Sequence, residues 1–173
     1  MQVTVLVGNP KQGSRTRLVA ERLVAQLFTD RAALETIDLA EFATQVFDWP
    51  SDTMQRLTQT VSESDVVVIA SPTYKASYTG LLKAFLDRYP ANGLAGVVAV
   101  PLFTGADQTH SMAPNVNLVP LLLELGAVVP GRGLYYNMAK HDRFEEIVAE
   151  AAARLHDNFN ALAAIAQHIS KEK

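Results

Sequence analysis

Gly8-Asn9-Pro10-Lys11-Gln12-Gly13-Ser14-Arg15-Thr16-Arg17 is the stretch on which the reading of this chain turns. It follows an apolar run, Val3 to Val7. It precedes a segment in which Val19, Leu23 and Leu27 recur at helical spacing, with Val24 and Phe28 beside them. A loop of this composition that opens a helix suits an anion. The first N–H groups of a helix lack intrahelical partners, and the dipole is positive at that end. Lys11, Arg15 and Arg17 add cations where the dipole alone favours carboxylates. Such a gathering makes sense around a doubly charged phosphate. The plain alternative is an ordinary strand-to-helix turn capped by Ser14, and three cations argue against it.

The spacing narrows the phosphate. Gly8 and Gly13 stand as in a Walker A loop, but Ser14-Arg15 follows where Gly-Lys-Ser/Thr is needed. No G-x-G-x-x-G is present, so the dinucleotide fingerprint is missing. What remains is a loop for a monophosphate ester, with the Ser14 and Thr16 hydroxyls as further donors.

Outward from this loop, apolar runs alternate with helical segments. Strands are expected at Val3–Val7, Leu34–Leu39, Val66–Ala70, Val97–Phe103 and Ala127–Leu134. Helices are expected at Ser14–Thr29, Ser51–Ser64, Thr79–Tyr89, Ser111–Leu125 and Asp142–Ile169. The runs at 66–70 and 97–100 do not alternate with polar residues, as strands buried on both faces of a parallel sheet do not. Five such repeats imply an α/β fold: a doubly wound, five-stranded parallel sheet with helices on both faces and right-handed crossovers. The flavodoxin-like order 2-1-3-4-5 fits this count and length. Along the last helix Phe144, Val148, Ala151, Leu155, Phe159, Leu162 and Ile165 form an apolar face, read chiefly as core.

The 173 residues fit one domain spanning 1–173. Zero cysteines exclude disulfides, thiol catalysis and thiolate metal sites. A net charge of −3 gives no basic field for nucleic acid. The sequence opens on a strand with no basic and apolar leader pattern, so no secretion signal is expected, and no apolar run is long enough to span a membrane; a cytoplasmic protein is expected.

In an open α/β sheet, ligands bind beyond the carboxyl ends of strands at the switch point. Here those ends are the loops after strands one, three and four. After strand three comes Ser71-Pro72-Thr73-Tyr74-Lys75-Ala76-Ser77-Tyr78-Thr79-Gly80. Pro72 stiffens the exit, Tyr74 and Tyr78 supply flat faces, and Thr73 and Ser77 supply hydroxyls. After strand four, Gly105 follows Thr104 and lets backbone approach a ligand closely. A phosphate loop, an aromatic and polar loop, and a glycine loop together describe a phosphorylated flat heterocycle, for which FMN is the natural candidate. No paired carboxylates or metal-ligand cluster stand out, so no metal and no catalytic acid or base is expected.

Residues 3–16 and 66–88, together with Pro101-Leu102-Phe103-Thr104-Gly105 and His110, resemble the NAD(P)H-dependent FMN reductase family. Within it the chain is most similar to flavin reductases that serve alkanesulfonate-type monooxygenases. The resemblance implies FMN held across two protomers of a homodimer or homotetramer, with NADPH or NADH as the reductant. It implies that Lys11, Ser14, Arg15 and Thr16 hold the phosphate. Pro72, Thr73, Tyr74 and Lys75 would line the isoalloxazine, and Thr104 with Gly105 its pyrimidine edge. Hydride would pass from nicotinamide C4 to flavin N5, with backbone N–H groups around Thr104–Ala106 facing the charge that develops near N1 and O2. His110 would contact flavin or a partner subunit, or simply start a helix. Some members carry an inserted tyrosine in the fourth helix, forming a π-bulge and associated with flavin that leaves as product. Val116 occupies that position here, which leaves release and tight retention of FMN both open. A flavin-dependent monooxygenase is the implied recipient of reduced flavin. A quinone or azo reductase with fixed FMN, and a flavodoxin-like electron carrier, are the alternatives.

Overall fold

The computed structural model describes residues 1–28 and 32–171. Five strands, β1 (Gln2–Val7), β2 (Ala33–Asp38), β3 (Val66–Pro72), β4 (Val98–Gly105) and β5 (Leu134–Asn137), form one sheet. Its order is β2-β1-β3-β4-β5 and every pairing is parallel, the flavodoxin-like arrangement expected from the alternating runs. All seven residues of β3 are buried. This is why its sequence shows no polar alternation: both faces lie under helices.

Period two still governs which way each side chain points. Val3, Val5 and Val7 pack with Val68 and Val100 against α1 (Arg15–Leu27) and α5 (Phe144–Lys171). Leu6, Ile69 and Phe103 pack on the other face against α2 (Asp52–Ser62), α3 (Gly80–Leu86) and α4 (Val119–Glu124). Ser14, Ser51 and Thr79 cap α1, α2 and α3, each accepting the N–H three residues on. Thr79 also donates its hydroxyl to the Gly8 carbonyl. The start of α3 is thereby fixed to the start of the phosphate loop.

The structure departs from expectation in three places. The fifth strand is not Ala127–Leu134. Only Val128 pairs there, in an isolated parallel bridge to Val98, and the paired strand begins at Leu134. Pro130 has no N–H to donate, and Gly131 and Gly133 weaken pairing, so the chain leaves the sheet and returns. The helix expected at Ser111–Leu125 splits into a π-turn, Pro114–Leu118, followed by α4. Pro120 cannot supply the N–H that would bond to the Val116 carbonyl, and the Val119 N–H reaches back five residues to Pro114. The wide turn forms although Val116, not tyrosine, stands within it.

Third, the apolar face of α5 is core only in its first half. Val148, Ala152 and Leu155 are buried and Phe159 stacks on Phe28 at 6.3 Å, but Leu162 and Ile165 are 41% and 57% exposed. The 28 residues of α5 face a partner helix of 13, so at ~1.5 Å per residue α5 extends far past the end of α1. The expected end of α1 at Thr29 lies outside the described residues.

Candidate active site

An open cleft of about 530 Å³ lies at the carboxyl ends of β1, β3 and β4. Its walls come from all three expected loops: Asn9, Lys11, Gly13, Ser14, Arg15 and Thr16 from the first, Pro72, Thr73 and Tyr74 from the second, Thr104, Gly105 and Ala106 from the third. Nine of the ten residues singled out in the sequence line it. The tenth, Lys75, stands one position beyond Tyr74, at the exposed tip of the turn. His110 is exposed and is not part of the wall.

The first loop is held open from beneath. Gly13 is left-handed, with φ of 61°, a conformation glycine adopts at little cost. Its N–H donates to Asp38 Oδ2 at 3.0 Å. Asp38 ends β2, its side chain is 1% exposed, and its other oxygen accepts from the Ala40 N–H. Asn9 folds back so that its Oδ1 accepts the Lys11 N–H at 2.9 Å, while its Nδ2 donates to Thr16 Oγ1. Thr16 Oγ1 in turn shares a hydrogen bond with Thr104 Oγ1 at 2.8 Å. The buried chain Asn9–Thr16–Thr104 ties the first loop to the third. The Thr16 hydroxyl is thereby engaged within the protein. Among the described residues, the backbone N–H groups of Gln12, Ser14, Arg15 and Thr16 have no protein acceptor.

Arg17 departs from its expected place. Its Nε donates to Glu21 at 2.8 Å, and its Nη1 lies 3.7 Å from Asp38 and 4.0 Å from Glu41. The hydrogen bond that it donates to Glu21 raises the guanidinium pKa further, with Asp38 and Glu41 adding to it. Arg17 therefore braces the loop from behind and is spent on carboxylates. Lys11 and Arg15, both exposed and both on the cleft wall, are the cations left for an anion.

The second loop supplies a tight turn. Tyr74 and Ser77 exchange two backbone hydrogen bonds, and Lys75 and Ala76 between them have φ of 50° and 63°. Non-glycine residues held there store on the order of 1 kcal/mol each, which surrounding structure must offset. Tyr74 is 52% exposed beside the cleft. Among the described residues Thr73 Oγ1 is buried with no hydrogen bond of good geometry, although the Tyr135 hydroxyl approaches it closely enough to offset part of the rise that burial causes in that phenol's pKa. The nearby Tyr135 hydroxyl donates instead to the Asp107 carbonyl at 2.8 Å, and burial holds that phenol above its usual pKa. A buried orphan hydroxyl is unfavourable in the free protein and gains a partner when a polar ligand edge enters the cleft.

Gly105 has a second reason beside the one expected. A Cβ there would lie 1.8 Å from the Tyr135 hydroxyl. The glycine makes room for tyrosine packing across β4, and its backbone still lines the cleft.

Three contributors escaped the sequence reading. Asp38 was legible as an acid ending the second strand, but its target, Gly13, lies 25 residues away. Nothing in the sequence marks Asn9 as a brace of its own loop. Met138 lines the cleft because β5 runs on to Asn137; placing that strand too early hid the residue.

Free N–H donors, two cations, an exposed aromatic face and an orphan hydroxyl fit the phosphate tail and flat polar ring of FMN. The comparisons with known proteins agree. The family model described as NADPH-dependent FMN reductase matches residues 1–155. An FMN reductase (NADPH) of Pseudomonas putida is 29% identical over 91% of this chain and 84% of its own length. Its namesake from Escherichia coli is 33% identical over 73% of this chain and 68% of its own length. Among solved structures, an apo NADH:FMN oxidoreductase superposes with a TM-score of 0.79 at 30% identity, covering 91% of this chain and 87% of that one. On its sequence, its sheet and its cleft, the chain belongs to the NADPH-dependent FMN reductase family.

Proposed function

We propose that this chain is an NAD(P)H-dependent FMN reductase and that residues 1–173 act as one FMN-binding domain. The observation that carries the reading is the convergence of three strand-end loops on one cleft, with unpartnered N–H groups at one end and an unpartnered Thr73 hydroxyl in its wall.

Lys11, Arg15 and the N–H groups of Gln12, Ser14, Arg15 and Thr16 hold the phosphate, with Ser14 capping the helix beneath it and the Gly13 N–H kept by Asp38. Pro72, Thr73 and Tyr74 line the isoalloxazine. Lys75 offers a backbone N–H that has no protein acceptor among the described residues. Thr104 and Gly105 border the pyrimidine edge, where backbone N–H groups around Ala106 face developing negative charge. FMN, when bound, supplies the hydride acceptor for a reduced nicotinamide. The chain's own work is to align and to shield, and no side-chain acid or base is needed for it.

Tyr74, Met112, Val116 and Leu123 are exposed apolar residues on the Tyr74 turn and the π-turn–α4 segment. They support a homodimer or homotetramer in which a second copy covers the open side of the cleft. A flavin-dependent monooxygenase is the acceptor we favour for reduced flavin, and the cytoplasm is the compartment, in keeping with zero cysteines. Purified protein mixed with FMN and either NADPH or NADH should consume the nicotinamide absorbance. A flat trace with both nucleotides contradicts the proposal.

A further inference from the structure

The turn that presents Tyr74 adopts a shape its own residues disfavour. A two-residue turn with both centres left-handed is ordinarily built from asparagine and glycine, yet Lys75 and Ala76 stand here. Its two backbone bonds, Tyr74 N–H to Ser77 at 2.9 Å and Ser77 N–H to Tyr74 at 3.1 Å, come from within the turn. One further bond comes from outside. Asn117 Nδ2 donates to the Ala76 carbonyl at 2.9 Å, across 41 residues of sequence.

Asn117 lies inside the π-turn Pro114–Leu118. Successive helical residues are rotated by roughly 100°, and a π-turn takes up an extra residue. It thereby changes which side chain faces a given neighbour. Asn115, two positions earlier on the same turn, accepts the Gly133 N–H at 3.0 Å and anchors the segment against the chain just before β5. The wide turn thus holds one amide on the β5 side and aims the other at the Tyr74 loop.

We infer that Asn117 is a positioning residue for the flavin site: from the π-turn its amide holds the Ala76 carbonyl, and so keeps the Lys75–Ala76 turn in the shape that sets Tyr74 on the cleft wall. The inference rests on reading that cleft as the flavin site. A carbonyl only accepts, so the amide must present its NH₂ to Ala76, and aspartate cannot replace it.

The test uses wild type, Asn117→Ala, Asn117→Asp and the double variant Asn117→Ala with Ala76→Gly. Two quantities are read: hydrogen exchange of the Ser77 amide without flavin, and dissociation constants for FMN and for riboflavin. Loss of one neutral hydrogen bond should speed Ser77 exchange roughly three- to tenfold in both single variants and weaken both flavins by a similar, equal factor. Glycine takes the left-handed conformation without a tether, so the double variant should return both readings to within about twofold of wild type. Unchanged exchange in the single variants, or no recovery in the double variant, overturns the inference. The two readings also separate its failure from that of the site. Wild type that takes up no flavin refutes the site assignment, whereas undiminished uptake by both single variants refutes the role of Asn117 alone.

Discussion

Replacing Asp38 by asparagine probes how the phosphate loop is held. The carboxylate accepts from Gly13 at 3.0 Å and from Ala40 at 3.3 Å, with Arg17 at 3.7 Å. Asparagine keeps the size but offers one acceptor, and its NH₂ must face one of the two N–H groups. One part-buried donor loses its partner. Losing a hydrogen bond to a charged group destabilises by roughly 1.5–3 kcal/mol, and the partly exposed pairing with Arg17 adds at most about 1 kcal/mol. For a chain of this length that total lowers Tm by on the order of 3–15 °C. The assay is a thermal melt of ligand-free protein, followed by flavin titration. FMN affinity should fall more than riboflavin affinity, because Gly13 belongs to the loop that meets only the phosphate. A Tm within about 1 °C of wild type, with unchanged FMN affinity, would refute the idea that Asp38 fixes this loop.

Other substitutions test neighbouring statements. Thr73→Val removes an unpartnered buried hydroxyl, so ligand-free stability should rise by up to about 1 kcal/mol in denaturant melts while flavin binding weakens; a fall in stability would show that the hydroxyl has a partner. Arg17→Ala should lower stability by no more than about 1 kcal/mol and leave the ratio of FMN to riboflavin affinity unchanged, since Arg17 serves Glu21, Asp38 and Glu41. Along α5, Leu155→Ala should cost roughly 2–5 kcal/mol by chemical denaturation, whereas Ile165→Ser should stay within about 0.5 kcal/mol. Similar losses at both positions would contradict the packing limit placed at Phe159.

The sheet order was legible because β1, β3 and β4 carry runs too apolar for anything but a doubly covered parallel sheet. Ala127–Val129 resembles such a run, and the strand was therefore placed too early. Pro130 and the glycines after it were the local warning, but the return to pairing at Leu134 depends on the β4 edge. The three site loops were also legible, since each sits at a strand end and carries glycine, proline or clustered hydroxyls. The fate of each side chain was less so. Glu21 stood four residues from Arg17 as a visible helix pair, yet Asp38 and Glu41 meet the same guanidinium only after β2 pairs with β1. That Gly105 is a glycine at a site loop is legible, but not that it also makes room for Tyr135, thirty residues on. The bond from Asn117 to Ala76 depends on a π-turn that no hydrophobic period announces.

The central claim is that the turn after β1 grips a phosphate ester. Calorimetric titration of wild type and Arg15→Ala with FMN and with riboflavin tests it most directly. The account predicts that Arg15→Ala weakens FMN by roughly 1.5–3 kcal/mol, about ten- to a hundredfold, and leaves riboflavin almost unchanged. Equal losses for the two flavins, or wild type that prefers riboflavin, would contradict it.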